Sequence, residues 1–159
     1  MPATYEPIAT TTLGSAAASY TFSSIPATYT DLVLVGDGTA SSNTVLGFRY
    51  NSDTGTNYSR TFMLGDGSSA VSGRQTSVSS IRTIAWRTDQ CSFIHQILNY
   101  SNSNTYKTSL TRGTAPAAET SAVVGLWRNT NAITSVTILL DANNIAAGST
   151  FTLYGIKAA

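Results

Sequence analysis

Ile133-Thr134-Ser135-Val136-Thr137-Ile138-Leu139-Leu140 and, after Asp141-Ala142-Asn143-Asn144, the stretch Thr150-Phe151-Thr152-Leu153-Tyr154-Gly155 decide how this chain folds. In the first, Val136, Ile138 and Leu140 share one side of an extended chain, while Ser135 and Thr137 point the other way. In the second, Phe151 and Leu153 oppose Thr152 and Tyr154. A period of two belongs to a strand, whose successive side chains face opposite sides of a sheet. Asp and Asn cap their own backbone or tolerate positive φ, so Asp141 to Asn144 reads as a turn.

The same rhythm runs outward from there. Short apolar runs occur at Tyr5 to Leu13, Ser19 to Phe22, Asp31 to Gly36, Thr44 to Tyr50, Arg60 to Gly65 and Ser80 to Trp86. They continue at Cys91 to Tyr100, Tyr106 to Thr111, Thr120 to Arg128, Ile133 to Leu140 and Thr150 to Ile156. Turn clusters such as Gly36-Asp37-Gly38, Asn51-Ser52-Asp53-Thr54-Gly55 and Gly65-Asp66-Gly67 separate them. Leu32-Val33-Leu34-Val35 is apolar throughout, the pattern of a central strand buried on both faces. Only Ser15 to Ala18 and Asn143 to Ala147 could hold a helical turn. The reading is an all-β fold: an antiparallel two-sheet β-sandwich of jelly-roll type with about ten strands, in one domain over residues 1–159.

Composition agrees. Charged residues make up 11% of the chain, well under the ~25% usual in globular proteins. Serine and threonine, 46 in all, take their place. Such a mixture is poor material for solvated helices and good material for the exposed faces of strands. The net charge of +1, without a basic stripe, argues against a nucleic-acid partner and leaves little repulsion between copies of the chain. One cysteine, Cys91, suits synthesis in a reducing cytoplasm. The segment Met1-Pro2-Ala3-Thr4-Tyr5 does not read as a signal peptide, and no apolar run approaches the ~20 residues of a membrane span.

Residues able to do chemistry are sparse. His95 follows Cys91 by four positions in one expected strand, a separation of about 13 Å that keeps the two side chains apart. Asp37, Asp53, Asp66 and Asp141 sit within two positions of Gly or Asn, as turn residues do. The stretch Asn51 to Gly55 echoes the start of a calcium loop, but the closing twelfth position of an EF-hand falls on Phe62, which cannot coordinate. These features predict no enzyme, no metal site and no cofactor. The sequons Asn57-Tyr58-Ser59 and Asn99-Tyr100-Ser101 matter only in a secreted eukaryotic protein. Tyr50, Tyr58, Trp86, Tyr100, Tyr106 and Trp127 could form a sugar-stacking platform; the simpler reading packs the two tryptophans in the core or at a subunit contact.

Three phrases carry a family likeness. The run from Tyr20-Thr21-Phe22-Ser23-Ser24-Ile25-Pro26 to Asp31-Leu32-Val33-Leu34 resembles the opening of small jelly-roll modules of tailed-bacteriophage virion proteins. So does Phe48-Arg49-Tyr50-Asn51-Ser52-Asp53-Thr54-Gly55 with its continuation to Ser59. Gly148-Ser149-Thr150-Phe151-Thr152-Leu153-Tyr154-Gly155-Ile156-Lys157 resembles their closing strand. The likeness spans roughly Tyr5 to Lys157 and rests on short Ser/Thr/Gly-rich phrases rather than on functional residues.

Such modules serve as capsid decoration (cement) proteins or as tail-fibre tips, and both commonly form trimers. The module fills the chain from near Met1 to Ala159, leaving no room for a fibre shaft, so the resemblance implies the decoration role. The expected protein is a homotrimer on the virion surface that bridges major capsid proteins. Residues 1–13 would be an N-terminal arm, with Tyr5, Ile8 and Leu13 touching the capsid or a neighbouring subunit. The alternative is a receptor-binding module reading a host glycan through Tyr50 and Tyr58, or a tail or head-to-tail subunit.

Overall fold

The computed structural model describes residues 4–157. Among them are twelve strands and no helix: β1 (Tyr5–Thr12), β2 (Ser19–Phe22), β3 (Asp31–Gly38), β4 (Thr44–Tyr50), β5 (Tyr58–Gly65), β6 (Ala70–Val78), β7 (Ile81–Trp86), β8 (Cys91–Leu98), β9 (Lys107–Ala115), β10 (Glu119–Trp127), β11 (Val136–Leu140) and β12 (Thr150–Ile156). All pairings are antiparallel. The sheets run β1-β12-β3-β8-β9-β10-β5-β6 and β2-β11-β4-β7.

Set aside the hairpins β5–β6 and β9–β10, and what remains is β1-β12-β3-β8 in one layer and β2-β11-β4-β7 in the other. Early and late strands interleave in both layers, which is the double Greek-key order of a jelly roll. The two hairpins extend the first layer beyond β8.

The alternating stretches behave as their period predicts. Val136, Ile138, Phe151 and Leu153 are buried, and Thr137, Thr152 and Tyr154 are half-buried. Three expectations need correction. There are twelve strands rather than about ten, and the one without a matching apolar run is β6, an outermost strand of polar sequence. In β3, Leu32, Val33 and Leu34 are buried, but Val35 is 37% exposed, so that strand is covered on both faces only at its start. The two segments with room for a helical turn meet instead in an isolated β-bridge, Ala17 to Ile145, with backbone hydrogen bonds of 3.0 and 2.8 Å between them.

Between the layers lies an aromatic core. Phe48 of β4 packs edge-on to Phe93 of β8, and Trp86 of β7 does the same. Gly125 of β10 lets the layers close: a Cβ there would stand 2.7 Å from two carbons of Ile81. Strand β7 edges the four-stranded sheet, where open backbone groups invite pairing with another chain. Here they are engaged. Arg60 Nη1 donates to the Arg82 carbonyl at 2.7 Å, and the Ala85 amide donates to Glu119 Oε1 at 2.9 Å. Both side chains come from the strands of the wide sheet that continue past β8.

Candidate functional site

His95 is sealed in the core. Its Nε2 lies 2.9 Å from the Tyr50 hydroxyl and its Nδ1 2.7 Å from Thr111 Oγ1, while the ring stacks on Phe48 with centroids 3.9 Å apart. Burial drives the imidazole pKa down to about 3, so the ring is neutral near pH 7. Cys91 is buried on the same inward face, and burial pushes its thiol up. Sequence spacing separated this pair correctly. It missed the Tyr50–His95–Thr111 chain, because three strands in two sheets contribute one member each.

Tyr50 and Tyr58, the glycan contacts of the alternative reading, are fully buried. Tyr50 follows Leu46 and Phe48 at strand period and so points inward with them. The Tyr58 hydroxyl donates to the carbonyl of Asp53 at 3.1 Å and accepts from the Tyr50 amide at 3.1 Å. Burial raises both phenols, Tyr58 to about 12. These side chains cannot stack on a sugar in the folded chain, so the tyrosine platform is withdrawn. Trp86, Trp127 and Tyr100 are buried too; Tyr106 is exposed.

Asp53, in the calcium-like stretch, uses its carboxylate on the protein itself. Trp127 Nε1 donates to it at 2.7 Å, Asn57 Nδ2 at 2.9 Å and the Gly55 amide at 2.8 Å. Burial pushes this carboxyl up, but the three hydrogen bonds together hold it below its ordinary value. No group of three or more metal-ligating side chains occurs among the described residues.

The N-terminal segment is an integral edge strand. Residues Tyr5–Thr12 pair along β12, with Thr10 and Thr12 hydroxyls bonded to Thr152 and Thr150 at 3.1 and 2.9 Å. Leu13 is buried, Ile8 is half-buried against the core, and Tyr5 is 55% exposed. Of the three expected contact residues, Tyr5 stands open on the surface; Ile8 and Leu13 pack within their own sandwich. Residues 1–3 of the expected arm lie outside the described residues.

Two outer faces remain. On the wide sheet, a row across the strands reads Thr61, Val124, Leu110, Gln96, Val33, Tyr154 and Pro7. The adjacent row reads Met63, Ala122, Arg112, Ile94, Val35, Thr152 and Thr10. Val124, Leu110, Met63 and Val35 are exposed. Across these seven strands Arg112 is the one charged residue in the two rows, and its guanidinium makes no hydrogen bond or ion pair among the described residues; on β6 the register continues the first row to exposed Arg74. The sequence carries these rows as alternate residues of seven strands, whose pairing order no local pattern reveals.

The face of the narrow sheet differs. Arg49 of β4, Arg82 of β7 and Asp141 after β11 line a groove of about 640 Å³ closed on one side by the β6–β7 turn. Arg82 and Asp141 form an ion pair. Arg49 Nε donates to the Ser79 carbonyl at 2.9 Å.

No family model matches the chain, and no curated protein sequence matches it either. Among solved structures, it is similar to sucrose-6-phosphate hydrolase from Lactobacillus gasseri, with 12% identity and a TM-score of 0.39 over 89% of this chain and 28% of that one. A tetrameric galectin from the ball sponge Cinachyrella aligns over 87% of this chain and 99% of its own, with 8% identity and a TM-score of 0.38. Alginate lyase Aly36B aligns over 92% and 77%, with 10% identity and a TM-score of 0.38. The chain thus spans under a third of the hydrolase it matches.

Proposed function

We propose that this chain is a non-enzymatic structural subunit, a capsid decoration protein of a tailed-bacteriophage virion that trimerises and braces major capsid proteins. The observation supporting association is the apolar centre of the wide sheet's outer face, where Arg112 is the one charged side chain and Arg74 and Asp37 stand at the borders. Strand spacing and rise give eight strands of seven residues a face of roughly 34 by 23 Å, or ~800 Å², about what one partner buries in a standard interface. Exposed Leu110, Val124, Met63 and Val35 gain most when water leaves that face. The virion assignment itself rests on the resemblance in the Tyr20 to Leu34, Phe48 to Ser59 and Gly148 to Lys157 phrases.

Two measurements test this reading. Sedimentation of the purified chain gives a trimer, and Leu110→Arg/Val124→Arg gives a folded monomer; a monomeric parent chain overturns association. Cryo-electron microscopy of the particle carrying the protein places it over capsid symmetry axes. Density confined to the tail overturns the decoration role and favours the tail-subunit reading.

A further inference from the structure

The groove on the narrow sheet has features that the association of subunits does not use. It is built where three strands and one turn converge. Arg49 and Arg82 project from neighbouring strands, and Asp141 follows the strand on the other side of β4. Between Leu139 and Arg82 the register places Gly47, so no side chain intervenes there. Ser77, with φ of 55°, turns the chain so that Val78, Ser79 and Ser80 form the opposite wall.

The polar groups are only partly committed. Arg49 spends Nε on the Ser79 carbonyl, leaving both terminal nitrogens without a partner among the described residues. Arg82 Nε is buried and unpartnered, an arrangement that carries a desolvation cost until an acceptor arrives. Two guanidiniums against one carboxylate leave the groove with a net positive charge.

We propose that this groove binds an acidic saccharide. Arg49 receives the sugar carboxylate, since a guanidinium offers the paired donors that a carboxylate fits. Asp141 and the serine hydroxyls of the turn exchange hydrogen bonds with sugar hydroxyls, and Leu139 and Val78 meet the C–H faces of the ring. The volume of about 640 Å³ lies within the range of small-ligand sites. Asp141 argues against a polyphosphate or nucleic-acid strand, which it would repel. The groove lies on the opposite sheet from the apolar face, so it stays open in an associated state.

Calorimetric titration of the purified full chain uses trigalacturonate as the acidic probe, with a neutral galactose trisaccharide and inorganic phosphate as controls. The expected result is saturable binding of trigalacturonate, at least tenfold weaker binding of the neutral sugar, and no saturation by phosphate at the same concentration. Arg49→Gln weakens trigalacturonate at least tenfold with an unchanged melting transition, and Arg49→Lys restores part of it. Leu110→Arg/Val124→Arg leaves the affinity per chain unchanged, which separates this inference from the association proposal. Absence of binding, equal affinity for acidic and neutral sugars, phosphate binding as tight as trigalacturonate, or an Arg49→Gln variant that binds normally each overturns the proposal.

Discussion

The two outer faces of this sandwich follow the same alternation rule and come out opposite in character. On the wide sheet, outward positions of β8, β9, β10 and β5 hold Ile94, Leu110, Val124 and Met63, with Arg112 alone carrying charge. On the narrow sheet, they hold Arg49, Arg82 and the Thr21–Thr137 hydroxyl pair at 2.9 Å. A strand buried on one side leaves its other side free to vary, so alternation dictates the core and leaves the surface open to selection. One chain can thereby carry a dry face and a wet one back to back.

The largest effect should come from spoiling the dry face. Leu110→Arg/Val124→Arg puts two new charges beside Arg112, where burial on association would leave them unpaired. Self-association should weaken at least a hundredfold by sedimentation velocity, while circular dichroism stays unchanged. Loss of the groove's cation should come next. Arg49→Gln lowers trigalacturonate affinity at least tenfold without altering sedimentation, and a change in sedimentation would show that the faces are not independent.

Smaller effects test the interior that both faces share. Asp53 lies in the turn after β4 and binds Trp127 of β10, tying one layer to the other. Asp53→Ala strands the buried indole N–H and should lower unfolding free energy by about 2 kcal/mol in urea. His95 adds a pH signature. Its folded pKa of about 3 lies below the ordinary imidazole value of 6.5. The unfolded chain therefore takes up a proton that the folded chain refuses, and stability falls as pH drops from 6.5 towards 3. Far below its unfolded pKa, the expected loss from this residue approaches about 1.4 kcal/mol per pH unit; His95→Gln should flatten that slope in urea titrations. The smallest change belongs to Lys157→Ala, which removes an exposed pair with Glu6 at 2.7 Å and should leave the melting midpoint unmoved.

What could be read from the sequence was whatever depends on neighbours two positions apart. Val136, Ile138, Phe151 and Leu153 announced their burial, and Gly65-Asp66-Gly67 announced where β5 turns back, whereas Gly36-Asp37-Gly38, expected as a turn, pairs as the last three residues of β3. Strand β6 could not be read this way, because Ala70–Val78 borders solvent and needs no apolar face. Tyr50 could be read this way: its period with Leu46 and Phe48 points it inward, where it is buried. Both outer surfaces were invisible for a different reason. Arg49 and Arg82 stand 33 positions apart in the sequence, and only the pairing of β4 with β7 makes them neighbours.

Arg60 and Glu119 reach across to β7 and occupy its backbone carbonyl and amide. Strand addition at that border would first have to displace both. Copies are thus kept from open-ended fibre growth by strand pairing along this edge.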